Sequence, residues 1–77
     1  MKLTIKQIEN MTIAEAKARG MGNWDGKLYL IPLSDYDNWP NGCKLTSING
    51  DTCIKGKDYI DQDTRFGLLA FGIYPKQ

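Results

Sequence analysis

The spacing of apolar residues near the N-terminus is helical. Ile5 and Ile8 are three positions apart, which places them on one face of a helix but on opposite faces of a strand. Two residue pairs have the spacing of a capping box, in which side chains satisfy the free backbone amides of a helix start: Thr4 with Gln7, and Thr12 with Glu15. We therefore predict short helices at about residues 4–10 and 12–19. A first strand at residues 2–8 is the alternative, because short apolar runs fit either element.

The pattern changes to that of β-strands after residue 20. Segments 27–33 and 66–74 are rich in aromatic and branched residues. Asn49-Gly50 lies between two further segments, and this dipeptide is typical of a tight hairpin. Because the connections are short, we predict a meander of about four antiparallel strands. With the helices packed on one face, the chain is expected to form a single α+β domain over residues 1–77.

Both faces of the first and last predicted strands are apolar. Segments 27–33 and 66–74 carry large apolar residues at odd and at even positions alike. An antiparallel sheet with one face in water would alternate apolar and polar residues instead. Two short helices cover one face, so the other must be closed by loops, by a partner protein or by a second copy of the chain. Exposed apolar surfaces of this kind usually mark interfaces, and a homodimer is one expectation.

The two cysteines are expected to be free thiols. With a two-residue turn at Asn49-Gly50, Thr46 faces Cys53 and Cys43 faces Gly56. Since side chains alternate along a strand, this register places the two cysteines on opposite faces of the sheet. A disulfide needs facing Cβ atoms about 4 Å apart, so the sequence predicts none.

The residue types offer little for catalysis. The chain has no histidine, which is the commonest general base and metal ligand. Neither a phosphate-binding glycine pattern nor a nucleophile elbow is present. We therefore predict no catalytic residue, no metal site and no cofactor, and a protein that is not an enzyme.

The composition is that of a globular protein of the cytoplasm. Hydrophobic residues make up 42% of the chain and charged residues 25%, which is typical of a folded domain and not of a disordered one. No apolar run approaches the roughly 18 residues of a membrane span, and the N-terminus lacks the apolar core of a secretory signal. Two cysteines are too few for a secreted disulfide scaffold, so a cytoplasmic location is expected.

The charge balance argues against a dedicated nucleic-acid binder. Ten lysines and arginines stand against nine acids, a formal net charge of +1. Lys44 is expected opposite Lys55 on the hairpin, with Lys57 further along the same face. These three lysines are the candidate residues for nucleic-acid binding, which is the alternative function.

A turn that carries two large aromatic residues is the main candidate for recognition. The stretch "DYDNWPNG" combines turn-forming residues with Tyr36 and Trp39, between Asp35 and Asp37. The aromatics either fold back as a lid over the uncovered sheet face or project as contacts for a partner. Trp24 stands beside an aspartate in a second loop of the same kind. We take all five as candidate partner-binding residues.

The chain resembles small uncharacterised accessory proteins of bacteriophages and prophages. The resemblance lies in "MTIAEAKARG", "WDGKLYLIP" and "GKDYIDQDTRFGLLAFGI", and it covers most of the chain. It implies a class of short proteins that bind and block a host protein, such as inhibitors of CRISPR or restriction systems. It implies no active site, and no functional residue is carried over from it.

Overall fold

The computed structural model describes residues 2–77 and confirms the α+β fold class. Over these residues the chain forms two short α-helices, one 3-10 helix and six strands. Their bounds are α1 Ile5–Glu9, α2 Ile13–Ala18, β1 Gly22–Asn23, β2 Tyr29–Pro32, the 3-10 helix Leu33–Asn38, β3 Lys44–Ser47, β4 Thr52–Ile54, β5 Gln62–Asp63 and β6 Leu68–Ile73.

Both helices begin directly after the threonines that the sequence marks as caps. The Thr4 hydroxyl accepts a hydrogen bond from the Gln7 backbone N–H at 3.1 Å, and the Gln7 side chain accepts one from the Thr4 N–H at 2.8 Å. The Thr12 hydroxyl likewise accepts from the Glu15 N–H at 3.2 Å. Free amides at a helix start are thus satisfied locally, which allows helices of five and six residues to form. The strand alternative for residues 2–8 is wrong.

The sheet is antiparallel, and β6 is its central strand. The order is β1-β2-β6-β3-β4, and β5 also pairs with β6. The predicted meander is therefore wrong at one point, because the last strand of the chain inserts between β2 and β3. Six strands form instead of about four, since β1 and β5 have only two residues each and leave no periodic pattern in the sequence. The two long predicted strands are shorter than expected, at 29–32 and 68–73.

The main core lies between the helices and one face of the sheet. The helices contribute Ile8 and Ala16, and Met11 joins from the segment between them. The sheet contributes alternate residues of its central strands: Tyr29, Ile31, Leu45, Leu69, Phe71 and Ile73. Trp39 closes the same cluster from the segment after the 3-10 helix. The period-two pattern of the sequence grouped the residues of this face correctly, but it did not distinguish this face from the opposite one, since both are apolar.

Two further leucines are buried on the second face of the sheet, opposite the main core. Leu28 and Leu30 are 2% and 4% exposed but lie outside the main cluster. Leu30 pairs with Gly22 on one side and with Gly72 on the other. The Leu68 side chain lies so close to Gly22 that a Cβ there would be 2.6 Å from Leu68 Cδ1. The chain's own side chains thus cover part of the face that the sequence left open.

The hairpin between β3 and β4 has a three-residue turn, not the two-residue turn that was expected. The Ser47 N–H donates to the Asp51 carbonyl at 2.7 Å, and Gly50 has a φ of 91°. This is the geometry of a turn followed by a glycine bulge. Leu45 therefore faces Cys53, where Thr46 was predicted to face it. A shift of one residue moves every side chain of β4 to the other face.

The two cysteines consequently lie on the same face, which corrects the prediction. Cys43 lies two residues before Leu45 and so shares its face with Cys53. Both thiols are free. The physical reason is the diagonal offset between them, since diagonal neighbours have Cα atoms about 7–8 Å apart and a disulfide needs Cβ atoms about 4 Å apart.

Alkylation of the native protein is expected to modify Cys53 and to spare Cys43 until the chain unfolds. Cys43 is 1% exposed, whereas Cys53 is only half-buried. Burial raises the pKa of both thiols, so even Cys53 should react slowly at neutral pH. Mass spectrometry after treatment with iodoacetamide should show one adduct in buffer and two in concentrated guanidinium. A protein that stays two hydrogens lighter and takes up no adduct in guanidinium would contradict the free thiols.

Candidate functional site

The predicted recognition turn, residues 35–42, consists of most of the 3-10 helix and the four residues that follow it. Asp35, Tyr36 and Asp37 lie within this helix, and Trp39 comes directly after its end. The Trp39 backbone N–H donates to the Tyr36 carbonyl at 3.0 Å, which closes the last turn. The segment is therefore ordered by its own backbone, and the question is where each side chain lies.

Asp35 is the centre of an internal hydrogen-bond network. Its carboxylate accepts two bonds from the Arg19 guanidinium, at 2.9 and 2.7 Å, in the fork geometry that makes such pairs strong. It also accepts from the Asn38 amide and from the Trp39 indole N–H, each at 2.9 Å. Burial alone would raise the pKa of Asp35, but these donors outweigh it and hold the pKa below its ordinary value.

Lys55 fixes the end of the same helix to the β4 side of the sheet. Its ammonium donates to the carbonyls of Tyr36 and Trp39 at 2.7 and 2.6 Å. The nitrogen also lies 4.1 Å from the centre of the Tyr36 ring, a cation–π contact. Carbonyls at a helix end lack partners within the helix, so the ammonium of the half-buried Lys55 is a suitable donor for them.

Trp39 is the lid that one of the two alternatives predicts. It is 1% exposed, and its indole N–H is bonded to Asp35. Together with Arg19 and Lys55, it attaches the 3-10 helix to α2 and to the sheet. Asp37 is exposed and Tyr36 is half-buried, so these two retain surface that a partner can reach. Asp35 and Trp39 make their contacts within the chain.

The three candidate lysines do not share a face, which corrects the prediction. Lys44 faces Ile54, not Lys55. Because side chains alternate, Lys44 and Lys55 point to opposite sides of the hairpin. Lys55 is bound to carbonyls, and Lys57 lies exposed in the turn after β4. The nucleic-acid-binding alternative therefore loses the common basic surface on which it depended.

The stability of the protein is expected to fall below about pH 4, and Asp35 is expected to cause part of that loss. Its pKa in the folded state lies below the ordinary value of 3.8, so the folded state holds fewer protons there than the unfolded chain. The stabilisation is fully present above the ordinary value and is lost as the pH falls through the folded-state pKa. Melting temperatures measured from pH 7 to pH 2 test this.

Asp35→Asn should make the melting temperature depend less on pH below about pH 4. It should also lower the free energy of unfolding at pH 7 by about 1.5–3 kcal/mol, the range of hydrogen bonds to charged groups. Asp37→Asn is the matched control, because the neighbouring carboxylate is exposed. It should leave the melting temperature at pH 7 nearly unchanged. If the melting temperatures of wild type and Asp35→Asn fall equally steeply at acid pH, Asp35 does not cause the loss.

Trp24 differs from Trp39 in that it is 52% exposed. It follows β1 in a turn whose polar groups are satisfied. The Trp24 N–H donates to the Leu28 carbonyl at 2.8 Å, and Asn23 Oδ1 accepts from the Gly26 N–H at 2.6 Å. Asp25 Oδ1 accepts from the amides of Leu28 and Lys27 at 2.8 and 3.1 Å, and these bonds lower the pKa of Asp25. The turn thus holds the exposed indole on a fixed backbone.

Half of the chain's eight aromatic residues are more than half exposed. They are Trp24, Tyr59, Phe66 and Tyr74, at 52%, 85%, 62% and 55%. The sequence singled out only the first of them, because Phe66 and Tyr74 were assigned to the last strand. The strand runs from Leu68 to Ile73, so Phe66 and Tyr74 lie just outside its two ends. No signal in the sequence distinguished a strand residue from one just outside it.

One concave surface of residues 2–77 is formed by the two α-helices. A groove of about 600 Å3 lies between α1 and α2, and its one carboxylate, Glu15, accepts a hydrogen bond from the Thr12 hydroxyl. Within residues 2–77, no three histidine, cysteine or acidic side chains cluster as metal ligands would. Over the same residues, no helix is long and apolar enough to cross a membrane.

Comparison with protein-family models, with curated proteins and with solved structures finds no match to this chain.

Proposed function

We propose that the protein is a non-enzymatic binding module that blocks a surface of a host protein in the bacterial cytoplasm. Its target would be a component of a defence system, such as CRISPR or restriction, or a regulatory protein, as the resemblance to phage accessory proteins implies. The mechanism is occlusion, in which the bound module covers a surface that the target needs. The working form of the module is a homodimer, in keeping with the two apolar faces of its sheet.

The exposed and preorganised indole of Trp24 carries this proposal. Tryptophan side chains are mostly buried in folded proteins, so an exposed indole is unusual, and tryptophan is among the residues that most often dominate binding energy. Its turn is held by hydrogen bonds that the Asn23 and Asp25 side chains accept from backbone amides. Little conformational entropy would be lost when such a side chain enters a pocket of the target.

Asp37 and Tyr36 remain as secondary contacts in the proposal, since both keep exposed surface. Asp35 and Trp39 would support binding indirectly by holding the 3-10 helix in place. A contact of standard size for a stable complex buries about 1,200–2,000 Å2 in total, and this chain would supply about half of it, at most roughly a fifth of its 4969 Å2 surface.

Trp24→Ala is expected to weaken binding of the target by about 2 kcal/mol or more, as truncation of an anchor residue does. The tagged protein would first be used to capture its target from a bacterial lysate, and affinity would then be measured with the purified pair. The variant should lose little stability, because the indole is half exposed.

Tyr59→Ala is the matched control, since it removes an aromatic residue that is 85% exposed elsewhere on the surface. It should bind the target as the wild type does. If the tagged protein captures no protein from the lysate in a stoichiometric amount, the proposed function is overturned. Affinity that falls steeply between low and moderate salt, with nucleic acid as the captured molecule, would favour the alternative.

A further inference from the structure

Three of the five large apolar side chains that are exposed among residues 2–77 lie at one end of the sheet: Ile5, Trp24 and Tyr74. The Trp24 N–H donates to the Leu28 carbonyl, so β1 and β2 remain paired up to this end. Tyr74 follows β6 directly and lies opposite Leu28, because the adjoining residues of β2 and β6 are paired. Since only β2 separates β1 from β6, the backbones of Trp24 and Tyr74 lie about 10 Å apart. Exposed apolar residues that gather in one place usually mark an interaction site.

A crevice of about 310 Å3 opens beside Tyr74, between α1 and the adjacent ends of β3 and β6. The residues at its base are apolar and buried, since Ile8, Cys43 and Ile73 are 7%, 1% and 8% exposed. Ile5 and Tyr74, which are exposed, form its rim. The volume is near the lower end of the roughly 300–1,000 Å3 of ligand pockets. The crevice therefore suits a single large side chain of a partner.

Tyr74 stands between this crevice and the turn that holds Trp24. It also lines a smaller hollow of about 200 Å3, which Gly26 and Lys27 of that turn line as well. Because β3 is the next strand beyond β6, the distance from Trp24 to the start of β3 is three strand spacings, or roughly 15 Å. A standard interface covers about 800 Å2 of each partner, and a round patch of that area is roughly 30 Å wide. One partner can thus contact Trp24 and the crevice together.

The rim of the crevice carries one charge of each sign. Glu9 is the last residue of α1 and Lys44 is the first residue of β3, and both are exposed. Within residues 2–77 neither is in an ion pair, since the one pair there joins Arg19 to Asp35. A bound segment with a basic residue toward Glu9 and an acidic residue toward Lys44 would complement both charges and would fit in one direction only.

We propose that this crevice receives an apolar side chain of the target, of the size of leucine or phenylalanine, flanked by an acidic residue at Lys44 and a basic residue at Glu9. Trp24 then enters the target while the target's side chain enters the crevice, and Tyr74 packs between the two. Anchor residues bind in desolvated pockets, and the anchors of two partners tend to adjoin one another. The inference rests on the proposed function and adds the second half of its contact surface.

Ile5→Trp is expected to raise the dissociation constant of the purified target complex at least tenfold, because the larger side chain fills the crevice from its exposed rim. Tyr74→Ala should raise it by about tenfold as well, since it removes the wall between the crevice and Trp24. Phe66→Ala is the matched control for Tyr74→Ala, because Phe66 is a similarly exposed aromatic residue just before the other end of β6. It should bind the target as the wild type does.

Charge reversal tests the chemistry of the bound segment. Lys44→Glu should raise the dissociation constant by about fivefold, because it faces the target's acidic residue with a like charge. Lys57→Glu is the control, since this lysine is exposed in the turn after β4 and does not line the crevice. It should change the dissociation constant little.

NMR spectra of the complex locate the occupant without any substitution. When the purified target is added to isotope-labelled protein, the methyl signals of Ile5, Ile8 and Ile73 should shift together with the indole N–H signal of Trp24. The methyl signals of Ile60, which packs against the core away from the crevice, should stay in place. A shift confined to Trp24 would show that the crevice stays empty in the complex.

The outcomes separate the crevice from the proposed function. If Ile5→Trp and Tyr74→Ala bind the target normally while Trp24→Ala binds it weakly, the crevice is wrong and the proposed function stands. If the tagged protein captures no target, both are overturned. If Ile5→Trp lowers the sedimentation mass of the protein without target, a second copy occupies the crevice and the inference is overturned. Melting curves show that each variant is folded, and Ile5→Gln, which should also weaken binding, replaces Ile5→Trp if the larger side chain prevents folding.

Discussion

Replacement of Trp39 by alanine is expected to lower the free energy of unfolding by about 3–5 kcal/mol, the usual range for the loss of a large buried aromatic residue. The indole is 1% exposed and closes the main core. Its removal also takes one donor from the Asp35 carboxylate, which is then less well satisfied. Small domains have total stabilities of about 5–15 kcal/mol, so the variant should be unfolded or nearly so.

Urea denaturation followed by circular dichroism tests this expectation. Trp39→Phe should lose less, because it keeps most of the apolar volume and gives up only the bond to Asp35. Trp24→Ala is the matched control for the loss of an indole, and it should cost about 1 kcal/mol or less at its half-exposed position. Equal losses for Trp39→Ala and Trp24→Ala would contradict the lid.

Alanine at Gly72 is expected to destabilise the protein by about 3 kcal/mol or more, at or beyond the upper end of the range for overpacking. A Cβ at this position would overlap the Tyr29 carbonyl oxygen and lie 2.8 Å from Leu30 Cα. These are backbone atoms of β2, the strand that Gly72 pairs with, so no side chain can move aside. Only separation of β2 from β6 would relieve the overlap, and that opens the centre of the sheet.

Gly67→Ala is the control that separates overlap from backbone strain. Gly67 has a φ of 66°, and a Cβ there would meet nothing within 4 Å. It should lose about 1–2 kcal/mol, the cost of a left-handed conformation for a residue with a side chain. Thermal or urea melting of both variants should rank Gly72→Ala as the more damaging. A Gly72→Ala protein as stable as Gly67→Ala would show that the two strands are less closely packed than described.

Local features of the chain that depend on neighbours in sequence were predicted well. Both helix starts follow from a hydroxyl and a side chain three positions later, since these satisfy amides within one turn. Alternation grouped the residues of each face of the central strands, but the choice of the core face required the structure. The two-residue strands β1 and β5 were missed, because they exist only through pairing with β2 and β6.

A shift of one residue between the predicted and the observed pairing of β3 with β4 explains the wrong predictions about the hairpin. Asn49-Gly50 correctly indicated a turn, but the dipeptide occurs in two-residue and in three-residue turns alike. The Ser47 hydroxyl accepts from the amides of Asn49 and Asp51, at 3.2 and 2.9 Å, and supports the longer turn. The shift placed Cys43 and Cys53 on one face and separated Lys44 from Lys55.

The sequence by itself determined the α+β class, both helix caps and the turn at residues 35–42. Only the tertiary structure decided that Trp39 is a lid and Trp24 is exposed, although both stand in polar loops. The reason is that burial of a loop side chain depends on distant partners, here Arg19 and Lys55, which approach the 3-10 helix from α2 and from the end of β4. The strand order was decided in the same way, because the place of β6 between β2 and β3 depends on pairing between distant segments of the chain.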